Sequence, residues 1–115
     1  MIRILLVEDD VDVRMVMEHV LIAAGYEVDA TGTEGNAREL LSGRSYDLVI
    51  ADVRLPDGTG MTVADNAREI GTKALIVTGY ASTLSHGAFN SYAILLKPLR
   101  PDELLDGVAR RLGMA

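Results

Sequence analysis

The chain of 115 residues contains no cysteine. Disulfides, thiol nucleophiles and cysteine-ligated metals are excluded, and a cytoplasmic location is compatible with that composition. Long apolar runs are also missing. The first apolar stretch, Ile4 to Val7, is far too short for a signal sequence or a membrane span and runs straight into acids, so no membrane association is expected. Basic residues are in deficit: 11 Lys and Arg against 17 Asp and Glu give a net charge of −6 and a pI near 4.7. Nucleic acid or an anionic membrane would be repelled as a direct partner. Histidine is scarce, with only His19 and His86, and neither has ligand spacing. There are no repeats, low-complexity stretches or linkers.

What is present is a hydrophobic content of 49%, enough at this length for a single domain over residues 1–115. Such a chain buries roughly two-thirds of its unfolded surface. Charges are scattered except for one cluster, Glu8-Asp9-Asp10.

Residues Ile2 to Val7 are rich in apolar and β-branched side chains and read as a first strand, ending in that cluster. Val13, Val16, Met17, Val20, Leu21 and Ala24 then recur at helical spacing before Gly25, predicting a helix over 11–24 with one buried face. Asp10 or Asp12 can cap its start. Tyr26 to Ala30 gives a second strand, and Thr33 to Leu41 a helix with Ala37, Leu40 and Leu41 on one side, closed by Ser42-Gly43. Leu48 to Ala51 is apolar without alternation, as a strand buried on both faces requires, and Pro56 and Asp57-Gly58 turn the chain after it. Met61, Ala64, Ala67, Arg68 and Ile70 outline a third helix ending at Gly71, and Lys73 to Thr78 a fourth strand. Residues 79–90 support at most a short helix. Tyr92 to Leu96 is a fifth strand, and the last helix starts near Pro101, Asp102 and Glu103, with Leu104, Leu105, Val108 and Leu112 inside.

Five strands alternating with helices imply an α/β fold with a parallel sheet covered on both faces. The flavodoxin-like, doubly wound order 2-1-3-4-5 is expected, which places strands 1 and 3 side by side at the switch point where ligands bind. Asp52 then emerges beside Glu8 and Asp9. Alone it could equally be a turn cap. Carboxylates sharing a site resist joint ionisation unless a cation intervenes, and Mg²⁺ suits oxygen ligands of this kind. Strand 4 ends in the Thr78 hydroxyl and strand 5 in the Lys97 ammonium. Acids, hydroxyl and ammonium together fit phosphoryl transfer, with Asp52 as nucleophile.

Four motifs carry a resemblance: Ile4-Leu5-Leu6-Val7-Glu8-Asp9-Asp10, the run from Asp47 to Gly60, Val77-Thr78-Gly79 and Leu96-Lys97-Pro98. In this order and spacing the chain resembles the receiver domain of two-component response regulators over essentially its whole length. The resemblance implies that Asp52 accepts a phosphoryl group from a histidine kinase or phosphotransfer protein, with signalling to a downstream protein. It implies Mg²⁺ held by Glu8, Asp9, Asp52 and the backbone carbonyl of Arg54, with Thr78 and Lys97 on the phosphoryl oxygens. It also implies a cis Lys97-Pro98 peptide, and self-catalysed phosphorylation and dephosphorylation rather than conventional enzyme activity. Arg54 and Tyr80 look like the positions that tune dephosphorylation, and their bulk predicts slow loss of phosphate. A side chain at Gly79 could obstruct the phosphoryl group.

Two features depart from the family pattern. Ile94 replaces the usual switch aromatic of strand 5, leaving Tyr92, on the same face by strand alternation, as the substitute candidate beside Thr78. The Thr78 to Lys97 segment is also short, so helix 4 is expected to be curtailed or irregular, and the phosphorylation-dependent change is expected across residues 79–95. A flavin-phosphate binder would need a Ser-, Thr- or Gly-rich loop where Glu8-Asp9-Asp10 stands. An Asp-nucleophile hydrolase would want an acid where Arg54 stands. A degenerate receiver that only binds proteins is the remaining alternative, opposed by the complete set Glu8, Asp9, Asp52, Thr78 and Lys97.

Overall fold

A computed structural model describes residues 1–79 and 91–114. Its elements follow the expected alternation: β1 (Arg3–Val7), α1 (Val11–Ala23), β2 (Glu27–Thr31), α2 (Glu34–Gly43) and β3 (Leu48–Asp52). Two-residue strands β4 (Arg54–Leu55) and β5 (Gly58–Thr59) come next, then α3 (Gly60–Glu69), β6 (Lys73–Thr78), β7 (Ala93–Leu96) and α4 (Pro101–Leu112). Strands β4 and β5 form a small antiparallel ribbon of their own, which the sequence did not announce. The main sheet is parallel and five-stranded, in the order β2-β1-β3-β6-β7, the expected 2-1-3-4-5 winding. The short or irregular helix expected in 79–90 falls, from residue 80 onward, outside the described residues, as do Tyr80 and His86.

Every residue of β3 is buried, because helices cover both faces of the sheet. Period-2 alternation sends Leu5, Val7, Val49, Ala51 and Ile76 toward Ala37 and Leu41 of α2 and Val63, Ala64 and Ala67 of α3. Ile4, Leu6, Leu48, Ile50, Leu75 and Val77 pack with Met17 and Leu21 of α1 and Leu104 and Val108 of α4. Two apolar layers therefore clamp the sheet, and its strand ends are left for chemistry.

The helix starts are capped by side chains where the sequence supplies them. Asp10, rather than Asp12, caps α1 by accepting the Val13 N–H at 3.0 Å. Thr33 accepts the Asn36 N–H at 3.1 Å, and the Glu103 carboxylate accepts the Arg100 N–H at 3.0 Å at the start of α4. Pro101 opens α4 as expected.

Two helix faces differ from expectation. Val16, read as buried, is 61% exposed, and Ala24 is exposed, since α1 turns its core toward the sheet through Met17 and Leu21 alone, with Val13 and Val20 flanking. In α3 the buried residues missed by the pattern are Gly60 and Val63, while Ile70, past the last helical turn, is 60% exposed. The fifth strand begins at Ala93 rather than Tyr92.

Candidate functional site

Strand register builds the site. Val7 pairs with Ala51, so Glu8 and Asp52 leave their strands side by side. Asp52 pairs with Val77, one residue before Thr78, and Thr78 pairs with Leu96, one before Lys97. Four neighbouring strands thus deliver Glu8, Asp52, Thr78 and Lys97 to one edge of the sheet. Asp9 joins them: Glu8, Asp9 and Asp52 each offer a carboxylate oxygen within 4.8 Å of one another. Glu8, Asp52 and Thr78 are buried and Asp9 is exposed.

Lys97 joins the two buried acids. Its ammonium donates to Asp52 Oδ2 at 2.9 Å and to Glu8 Oε1. The Lys97-Pro98 peptide is cis, as the resemblance implied, and the Lys97 N–H donates to the Thr78 carbonyl at 2.9 Å. Burial, with the Asp52 carboxylate nearby, pushes the Glu8 carboxyl up to about 7 even though Lys97 opposes the shift. Burial works against the charge of Lys97, but its bonds to Glu8 and Asp52 outweigh it, and the Lys97 ammonium is held above its ordinary range.

Asp52 Oδ1 is buried without a hydrogen-bond partner among the described residues. Such an atom is costly unless something else satisfies it. A hard cation is the chemistry that three clustered carboxylates and an orphaned carboxylate oxygen suit, so the residues present fit Mg²⁺.

The flanking chain holds this arrangement. Arg14 donates to the Glu8 carbonyl at 2.8 Å and the Glu8 N–H donates to Thr31 at 2.9 Å. Arg54 is exposed at the base of the ribbon. Among the described residues, an added Cβ on Gly79 would meet Lys97 Cβ at 3.8 Å, an ordinary contact. Tyr92 and Ile94 do share a face, both packing on the α2 and α3 side, and the Tyr92 hydroxyl donates to Asp65 of α3. His19 lies exposed on α1.

Two residues inside the Asp47 to Gly60 run make contacts that the motif does not announce. Gly60 lies so close to Asp52 that a side chain would collide with it, and Asp57, read as a turn former, accepts two N–H groups from α2. Their contacts are long-range, and no local pattern announces them.

A family model described as the response regulator receiver domain matches residues 4–109. The chain belongs to that family. The response regulator receiver protein CpdR of Brucella abortus is 31% identical over 115 residues, covering 96% of each chain. A CheY-like receiver domain from Methanospirillum hungatei superposes with a TM-score of 0.88 at 30% identity, covering 98% of this chain and 94% of that one. The response regulator TrrA of Thermotoga maritima, solved with Mg²⁺-BeF, gives 0.84 at 29% identity and covers 96% of this chain and 99% of its own. TrrA has also been solved in complex with the histidine kinase ThkA. The receiver domain described here spans about half the length of some other curated relatives, such as the transcriptional regulatory protein DltR of Streptococcus agalactiae, of which it covers 51% at 29% identity. No described helix is long and apolar enough to cross a membrane.

Proposed function

We propose that this receiver domain accepts a phosphoryl group on Asp52 from the phosphohistidine of a histidine kinase or phosphotransfer protein. The supporting observation is the Asp52 carboxylate, whose buried Oδ1 has no hydrogen-bond partner among the described residues, clustered with the Glu8 and Asp9 carboxylates and bonded through Oδ2 to the Lys97 ammonium. A carboxylate oxygen of Asp52 attacks phosphorus, the P–N bond of the donor breaks, and the electron pair leaves on the imidazole nitrogen. Bound by Glu8, Asp9, Asp52 and the Arg54 carbonyl, Mg²⁺ would supply positive charge against the phosphoryl oxygens. Lys97, held by its two carboxylates, neutralises another of those oxygens, and the Thr78 hydroxyl donates to a third. The domain thereby assists its own phosphorylation and dephosphorylation, with Arg54 and Tyr80 slowing the loss.

Mg²⁺-BeF on TrrA and the ThkA complex support the same ion and the same class of donor for this chain. A donor protein must reach a largely buried acid. Val11, Met15 and Val16 of α1 are each more than half exposed, and an apolar cleft of roughly 520 Å³ between α1 and Pro98-Leu99 opens beside Lys97. Contiguous exposed apolar surface of this kind marks protein contact sites. Residues 1–115 act as one receiver unit in the cytoplasm, without direct nucleic-acid or membrane contact. It reports to a downstream protein through Thr78, Tyr92 or Ile94 and the 79–95 segment.

Incubation with Mg²⁺ and a small phosphodonor tests this. Intact mass should show one phosphoryl addition that is absent from Asp52→Ala. No addition, even from phosphohistidine donors, would sink the reading.

A further inference from the structure

The ribbon that follows Asp52 has almost no core of its own. Its two strands pair only through Arg54 with Thr59 and Leu55 with Gly58, and of these four residues Leu55 alone is buried. An isolated two-stranded pairing is marginal in water, so the position of the Arg54 carbonyl depends on what else holds the ribbon. At its base the Gly60 N–H donates to the Val53 carbonyl at 3.0 Å. At its tip Asp57 reaches across to a different helix. Asp57 Oδ1 accepts the Glu34 N–H at 2.8 Å and Oδ2 accepts the Gly35 N–H at 2.9 Å.

These are the first two amides of α2, which have no partner within the helix. Thr33 already caps this same first turn through the Asn36 N–H, so Asp57 is not needed as the ordinary cap. Gly58 lies against the Glu34 side chain, so closely that a Cβ there would stand 2.6 Å from the Glu34 carboxylate. The ribbon is therefore tied at both ends, and the outer tie is a bidentate carboxylate 23 residues from one of its partners.

We propose that Asp57 is a positioning residue for the acidic site: it moors the ribbon carrying the Arg54 carbonyl to the start of α2. This rests on the ligand set proposed above. Asp57 touches neither the ion nor the phosphoryl group; it sets where the Arg54 carbonyl stands relative to Glu8, Asp9 and Asp52. Partners that orient metal ligands from outside typically change metal affinity by about 10–100-fold when removed.

The test is a Mg²⁺ titration of the full chain, followed by backbone amide NMR shifts, on wild type, Asp57→Ala, Asp57→Asn and Thr33→Ala. Asp57→Ala should weaken Mg²⁺ binding by about 10-fold or more and move the Glu34 and Gly35 amide protons upfield. Asp57→Asn keeps one acceptor oxygen and should fall between, which carries the test if thermal melting shows Asp57→Ala unfolded. Thr33→Ala removes a cap from the same helix without touching the ribbon and should keep the wild-type affinity. Wild-type affinity in Asp57→Ala, or equal weakening in Thr33→Ala, overturns the inference alone. No Mg²⁺ response in wild type overturns the reading of the site along with it.

Discussion

A Cβ placed on Gly60 would stand 1.9 Å from the carbonyl oxygen of Asp52. The first residue of α3 thus packs directly on the backbone of the proposed phosphoacceptor, and no flexible side chain is available to give way. Gly60→Ala must push the Asp52 peptide or the start of α3 aside. Overpacking of this kind costs roughly 1–3 kcal/mol, measurable by urea unfolding, and phosphoryl uptake should fall with it. An alanine variant with wild-type stability and uptake would contradict the close packing.

Lys97 neutralises two carboxylates at once. Lys97→Met should leave Glu8 and Asp52 facing each other without a cation, and breaking a buried pair costs up to about 3–5 kcal/mol. The cost should be smaller here because the Lys97 side chain keeps 23% exposure. The double variant Lys97→Met, Asp52→Asn should recover part of the loss, since it removes one of the stranded charges. Additive losses in chemical unfolding would argue against the coupling.

Mg²⁺ should stabilise the fold by satisfying the orphaned Asp52 oxygen. At 100 times the dissociation constant the gain is about 2.7 kcal/mol, visible as a rise in melting temperature that a chelator reverses. Glu8→Gln and Asp9→Asn should each diminish the rise. An equal rise in Asp52→Asn would place the ion elsewhere.

Tyr92 ties the start of the fifth main strand to α3. Its hydroxyl donates to Asp65, and the Arg68 guanidinium sits 4.9 Å from the ring centroid. Tyr92→Phe should lose about 0.5–1.5 kcal/mol with the hydrogen bond, and Arg68→Ala a further 0.5–1 kcal/mol or so with the cation–π contact. A double-mutant cycle of Tyr92→Phe with Asp65→Ala should show non-additivity. Strict additivity would mean that the bond contributes nothing.

Stability in alkali should report Tyr46. Burial, then its 2.7 Å hydrogen bond to Asp29, pushes this phenol up to about 12 from an ordinary 10.0. The fold favours the protonated form, so the contribution is fully present below pH 10 and is lost as pH rises toward 12. That window should cost about 2 kcal/mol in the wild type. Tyr46→Phe should flatten this part of the stability profile, and an unchanged slope would rule out Tyr46 as its source.

Most of the fold was legible because its signals are local. The unbroken apolar run Leu48 to Ala51 marked a strand covered on both faces, and the alternation of strands with helices marked a parallel sheet. Where the structure differs from the sequence pattern, the local signal is ambiguous. Val16 fits the helical spacing of α1 as well as Met17 does, and only the sheet's position decides which of the two is covered. Strand parity puts Tyr92 and Ile94 on one face and needs no tertiary information. The Asp65 and Arg68 partners of Tyr92 did need it.

The sequence by itself determined the chemistry: a carboxylate at the end of a buried strand, an acid cluster, a hydroxyl and an ammonium, each at the end of its own strand. Those are properties of residue type and order along the chain. Tertiary structure alone decided the register that sets Glu8 beside Asp52, the double hold of Lys97, the absence of room at Gly60 and the reach of Asp57 to α2. Each is a contact between distant residues at ångström scale, fixed by how helices and strands pack, and chain order carries no direct record of it.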